Sequence, residues 1–144
     1  MAIWKKPFTL DSLNLSSKNT LVEHLGIEYC AFDDDSLTAT MPVEARTHQP
    51  LGMLHGGASV VLAETLGSLA GNLCVDERKY CVGLDINANH IRPMRSGIVK
   101  GRTTPIHLGA TTQVWQIEIT DERDRLVCTS RITMAVMKHK KIDS

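Results

Sequence analysis

The sequence predicts an α+β fold in which an antiparallel sheet wraps around one long central helix. Three observations carry this. From Gly57 to Val75 no proline interrupts, and Leu62, Ala63, Leu66, Leu69, Ala70 and Leu73 return at helical spacing, which makes a helix of about five turns. Beyond residue 79 the apolar stretches are long and rich in Val, Ile and Thr, so they read as strands. The last three are joined by His107-Leu108-Gly109-Ala110 and Asp121-Glu122-Arg123-Asp124, too short for the crossover a parallel pair would need. At 144 residues the chain can bury a core by itself, and residues 1–144 are expected to form a single domain.

The elements follow in order. Residues 9–25 carry Leu10, Leu13, Leu15, Leu21, Val22 and Leu25 at roughly helical spacing, with Asp11 and Asn19 as candidate caps and Gly26 as a stop. Ile27–Phe32 reads as a strand, Asp33-Asp34-Asp35-Ser36 as a turn and Leu37–Val43 as the partner strand. The three aspartates lack the other ligands of a calcium loop and are expected to be a solvated turn. A loop from Glu44 to Met53 leads into the helix. Ser59, Ala63, Gly67 and Gly71, spaced by four, leave one helix face almost bare, so a sheet can approach it closely; apolar side chains elsewhere predict a helix buried all round. Tyr80–Ile91 alternates, with Tyr80, Val82, Leu84, Ile86 and Ala88 against Asp85, Asn87 and Asn89. Gly97–Ile106, Thr111–Thr120 and Leu126–Met137 complete the strands. Lys138-His139-Lys140-Lys141 reads as a solvated basic end.

Composition excludes several function classes. Apolar residues make 42% and charged residues 22%, with formal net charge zero, so nothing global favours nucleic acid as a partner. No apolar run spans a bilayer, so membrane insertion is not expected. The N-terminus lacks a secretory apolar core, making cytoplasmic the expected location. Cys30, Cys74, Cys81 and Cys128 form no CxxC pair and are expected to be buried, reduced thiols. Six histidines show no metal-ligand pattern, so neither a metal nor another cofactor is expected.

Chemistry concentrates in Gln49–Cys74. Glu64 is its one acidic residue, and no Lys or Arg lies between His55 and Cys74 to pair with it. A carboxylate can activate water as a general base or attack a carbonyl directly. Gly56 and Gly57 open the helix, where free amides and the helix dipole suit an oxyanion. A Gly-Gly turn alone would serve only chain geometry; the carboxylate nearby gives it chemical meaning. Gly56 and Glu64 stand eight residues apart, about 12 Å along one helix, too far to flank one carbonyl carbon. Two chains are therefore expected to share each site. Arg92 and Arg95, with His90 before them and Lys100 and Arg102 on the next strand, could hold phosphates. Surface charge on strand ends would look the same.

The segments QPLGMLHGGASVVLAETLGSLAG, VGLDINANHIRP and VWQIEI resemble the hotdog-fold acyl-CoA thioesterases. The likeness covers essentially the whole chain. It is greatest to the bacterial branch holding the 1,4-dihydroxy-2-naphthoyl-CoA thioesterases of menaquinone biosynthesis and the enterobactin proofreading thioesterases. The resemblance implies a hotdog fold, a homodimer paired into a dimer of dimers, and metal-free hydrolysis of an acyl-CoA substrate, here an aromatic one. It implies Glu64 as the catalytic carboxylate, Gln49, His55 and Gly56 around the thioester carbonyl, and Ser68 assisting the carboxylate. It further implies coenzyme A contacts at Gly83, at His90, Ile91, Arg92 and Pro93, and at His107, Leu108, Gly109, Ala110, Thr111 and Thr112. Three alternatives stay open: aryl groups on a carrier protein as the substrate, a hotdog hydratase or dehydratase using His55 or His90, and a non-enzymatic acyl-CoA binding module.

Overall fold

The structure is a computed structural model that describes residues 1–140. Short helices α1 (Leu10–Ser16) and α2 (Leu21–His24) precede strands β1 (Glu28–Phe32) and β2 (Leu37–Val43). The long helix α3 (Gly56–Leu73) follows, then β3 (Lys79–His90), β4 (Gly97–Leu108), β5 (Thr112–Thr120) and β6 (Leu126–Lys138). All six strands join one antiparallel sheet in the order β1-β2-β4-β5-β6-β3. The sheet lies against α3, with Leu62, Ala63, Leu66 and Ala70 meeting Trp115, Ile117 and Ile132 in the core. This is the hotdog arrangement the sequence led us to expect.

Small residues decide how close helix and sheet come. A Cβ on Gly67 would lie 2.5 Å from Ile132 Cγ2, and one on Gly71 would lie 2.6 Å from Gln113 Oε1. On the sheet side, a Cβ on Gly101 would lie 2.8 Å from Leu66 Cδ1. The bare stripe on the helix is thus filled from the sheet, as its spacing predicted.

Several expectations need correcting. Thr9, not Asp11, caps α1: its hydroxyl accepts from Ser12 N at 3.0 Å, while Ser12 Oγ accepts from Thr9 N at 2.9 Å. Thr20 holds the cap position of α2, and Asn19 just before it turns the chain with φ +62°. A 3-10 turn, Ala45–Thr47, interrupts the Glu44–Met53 loop. His107 and Leu108 belong to β4 rather than to the connection after it.

The alternation of β3 breaks at a bulge. Gly83 pairs with Met134 and Asp85 with Thr133, leaving Leu84 without a partner. One extra residue reverses which side chains face inward. Cys81 is buried before the bulge and Ile86 and Ala88 pack on the core after it, while Val82 is exposed. The tail is also more ordered than its charge suggested, since Lys138 ends β6 and the His139 ring lies 4.8 Å from that of Tyr80. Lys141 lies outside the described residues. Cys30 is exposed, whereas the other three cysteines are buried, all four as free thiols.

Helix α3 is covered on one side only. Its sheet-facing residues are buried, whereas Gly57 and Glu64 are exposed and Val60, Val61 and Ser68 half-buried. Within one chain the expectation of burial all round is not met, because the sheet covers a single face and ends at β3, whose far edge has no neighbouring strand among the described residues.

Candidate active site

His55 has extended backbone (φ −68°, ψ 129°) and caps α3, its Nδ1 accepting from Gly57 N at 2.7 Å. The Gly57 amide is therefore occupied, against the expectation that both glycine amides are free. Among the described residues the Gly56 N–H meets no acceptor, which leaves it as the open donor of the helix start. The loop before the helix is tied down by Gln49 N donating to Met53 O at 2.7 Å and Leu54 N donating to Met94 O at 2.7 Å. Leu51 N donates to Gln49 Oε1, which holds the carboxamide in place, and its amino group has no acceptor among the described residues.

Gln49, Gly56, His90, Ile91, Arg92 and Pro93 line one cleft of about 340 Å³. The His90 ring closes one wall, since a Cβ on Gly56 would lie 2.9 Å from His90 Nε2. Val127 O accepts from both Ile91 N (2.8 Å) and Arg92 N (3.2 Å), fixing the turn that leaves β3. Met53, Leu54, Ser59 and Val127 also line this cleft and escaped sequence reasoning. The sequence marks Ser59 only as a small residue of the packing stripe, and nothing near Val127 marks it.

Glu64 and Ser68 do not line this cleft. Glu64 sits two turns further along α3, exposed, with Oε2 beside the middle of β3: a Cβ on Gly83 would lie 3.4 Å from it. None of the ion pairs among the described residues includes Glu64. Within one chain it is an unpaired carboxylate, among the described residues, on the helix face that the sheet leaves open. Ser68, four residues on, makes no hydrogen bond to it among the described residues.

The remaining predicted contacts lie elsewhere. His107 folds over Gly109, where a Cβ would lie 2.5 Å from His107 Nε2, and Gly109 N donates to Thr112 O at 2.8 Å in the β4–β5 turn. Leu108, Gly109 and Ala110 line a second cleft, of about 520 Å³, with Trp4, Lys5 and Cys74. Thr111 O accepts from Val136 N at 2.9 Å. Along β6, His90 is opposite Cys128 and Thr112 opposite Ala135, so the two predicted coenzyme A segments stand about 23 Å apart in one chain. No group of three or more His, Cys, Asp or Glu among the described residues is placed to hold a metal. No helix among them is long and apolar enough to cross a membrane.

A sheet folded on one long helix, with a carboxylate on that helix and a free amide at its start, is the hotdog arrangement. The model of the thioesterase superfamily matches residues 51–128, which include Gly56, Glu64 and β3. The chain is 54% identical over 135 residues to the 1,4-dihydroxy-2-naphthoyl-CoA hydrolase of Escherichia coli, covering 94% of this chain and 99% of that one. It is 56% identical over 135 residues to the proofreading thioesterase EntH of Cronobacter turicensis, covering 94% and 98%. Among solved structures it superposes on a thioesterase of Haemophilus influenzae with TM-score 0.93 and 60% identity, covering 94% and 95%. The chain belongs to the thioesterase superfamily, and it is an enzyme of the thioester hydrolase class.

Proposed function

We propose that the chain hydrolyses aromatic acyl-CoA thioesters, with 1,4-dihydroxy-2-naphthoyl-CoA as the model substrate. The observation that carries the mechanism is Glu64: an unpaired carboxylate on the one uncovered face of an otherwise packed helix, against a glycine that leaves room beside it. Glu64 either takes a proton from the water that adds to the carbonyl or attacks the carbonyl itself, and the carbonyl oxygen gathers negative charge as that bond forms. When the bond to sulfur breaks, the charge leaves with the coenzyme A thiolate, which takes up a proton. In the second route water then hydrolyses the anhydride formed with Glu64. The free Gly56 amide at the helix start receives the charge on the carbonyl oxygen, while Gln49, His55 and Ser68 orient carbonyl and carboxylate. The aromatic preference rests on the hydrolase named above; the proofreading relative, of nearly equal identity, supports a second reading in which the aryl group rides on a carrier protein.

The working unit in this proposal is a homodimer, itself pairing into a dimer of dimers. Strand β3, 12 residues long, has no strand on its far side among the described residues and exposes Val82 and Leu84; a second β3 would cover this edge beyond Cys81, whose backbone groups Asn72 already bonds. Pairing about a two-fold axis sets the His90 end of one strand beside the Lys79 end of the other. That brings the two coenzyme A segments, distant in one chain, toward one site built from both protomers. It also lets Gly56 of one protomer serve Glu64 of its partner.

Thiol release from a panel of aryl- and alkyl-CoA thioesters tests the reaction. Aryl substrates should turn over fastest, and Glu64→Ala should lower kcat by about 100- to 10,000-fold with the fold intact. Hydration of crotonyl-CoA without thiol release would favour the hydratase, and saturable binding without turnover a binding module. Near-wild-type activity of Glu64→Ala on every thioester would remove the carboxylate from the mechanism.

A further inference from the structure

The side chain of Asn72 does to β3 what a neighbouring strand would do. Its Oδ1 accepts from Cys81 N at 2.8 Å, and its Nδ2 donates to Cys81 O at 3.1 Å and to Ser68 O at 2.8 Å. One carboxamide thus holds both backbone groups of a single strand residue and anchors them to the helix turn that begins at Ser68.

Those backbone groups point to the open edge of the sheet. Cys81 is opposite Val136, whose N–H turns the other way to bond Thr111 O. The pair is therefore a non-hydrogen-bonded one, with the Cys81 amide and carbonyl directed away from β6. Gly83, two residues on, has the same orientation. It is the first edge residue that Asn72 leaves unoccupied, and the one that lies against Glu64 Oε2.

The sheet does not fix that contact alone. Directly after Gly83 the bulge at Leu84 breaks the β3–β6 register, so the ladder is weakest where β3 passes Glu64. Apart from Asn72, the polar link from α3 to this part of β3 among the described residues is the longer contact of Cys81 Sγ with Gly71 O at 3.5 Å.

We propose that Asn72 is a positioning residue for the thioesterase reaction: by clamping Cys81 to α3 it sets where the Gly83 backbone lies against the Glu64 carboxylate. The proposal rests on the assignment of Glu64 made above. Asn72 touches neither substrate nor reacting atoms and acts through the strand.

Steady-state kinetics of the full-length protein on benzoyl-CoA test it, using Asn72→Ala and the near-isosteric Asn72→Asp, which lacks the amide donors. Both should lower kcat about 10- to 100-fold while KM stays within a few-fold of wild type. Melting temperatures confirm that the compared variants are folded at the assay temperature. In a Glu64→Asp background, where the carboxylate is already displaced, Asn72→Ala should cost much less than in wild type. Equal fold-losses in the two backgrounds would overturn the proposal by marking a general effect on the fold. So would kcat within two-fold of wild type for both Asn72 variants while Glu64→Ala is inactive. Full activity of Glu64→Ala would instead overturn the catalytic assignment beneath it.

Discussion

Gly56 and His90 meet where α3 starts and β3 ends: a Cβ on the glycine would lie 2.9 Å from His90 Nε2. The contact joins the free amide of the helix start to the wall of the cleft, and it leaves no room for a methyl group. Gly56→Ala must push the imidazole outward or tilt the first helical turn. We expect a folded protein with a melting temperature near wild type and kcat/KM on an aryl-CoA lowered about 100-fold. Unchanged kcat/KM would mean that His90 has slack the structure does not suggest.

The approach of helix and sheet at Gly67 makes a prediction about stability. Ile132 is fully buried, and its Cγ2 is 2.5 Å from where a Gly67 Cβ would stand. Gly67→Ala should therefore destabilise by about 1–3 kcal/mol despite the better helix propensity of alanine, because the core must move. Urea unfolding measures this; an increase in stability would show that Ile132 shifts freely.

The β5–β6 turn predicts a pH dependence. Asp121 Oδ1 accepts from Arg125 N and Arg123 N, each at 2.9 Å, and Oδ2 from Arg125 Nε at 2.8 Å. The Arg125 backbone amide above all, with the Arg123 amide and the Arg125 guanidinium, holds this carboxyl below its ordinary value. A carboxyl depressed by folding adds stability above its unfolded-state value and loses it as pH falls through the folded one. Asp121→Ala should thus be less stable than wild type by a constant margin from pH 7 down to about 5, narrowing below about pH 4. A margin unchanged at acid pH would mean that packing, not charge, is responsible.

The cysteines bear on how the enzyme is assayed. Burial pushes the Cys74 thiol up to about 12 and raises those of Cys81 and Cys128, so none is a reactive thiolate at neutral pH. Cys30 is exposed. A thiol-detecting dye should count one reactive thiol in the native protein and the remaining three only after denaturation. Two or more reacting rapidly in the native state would show an opening of the α3–β3 contact.

Local residue pattern is enough to mark the elements and the chemistry on offer. Periodicity marked α3 and the strands to within a few residues, the four-residue spacing of small side chains predicted the close approach of the sheet, and short links forced the β4–β5–β6 order. Glu64 stood out because a helix with one carboxylate and no cation is unusual in composition alone. Tertiary structure decided what those groups face. Residue spacing along α3 cannot say that the sheet covers one side and stops at β3, which is why Glu64 is exposed within one chain. Nor can it foresee that His55 occupies the Gly57 amide, leaving Gly56 as the free donor. The bulge at Leu84 and the Asn72–Cys81 clamp depend on register between elements distant in sequence, which local pattern does not encode.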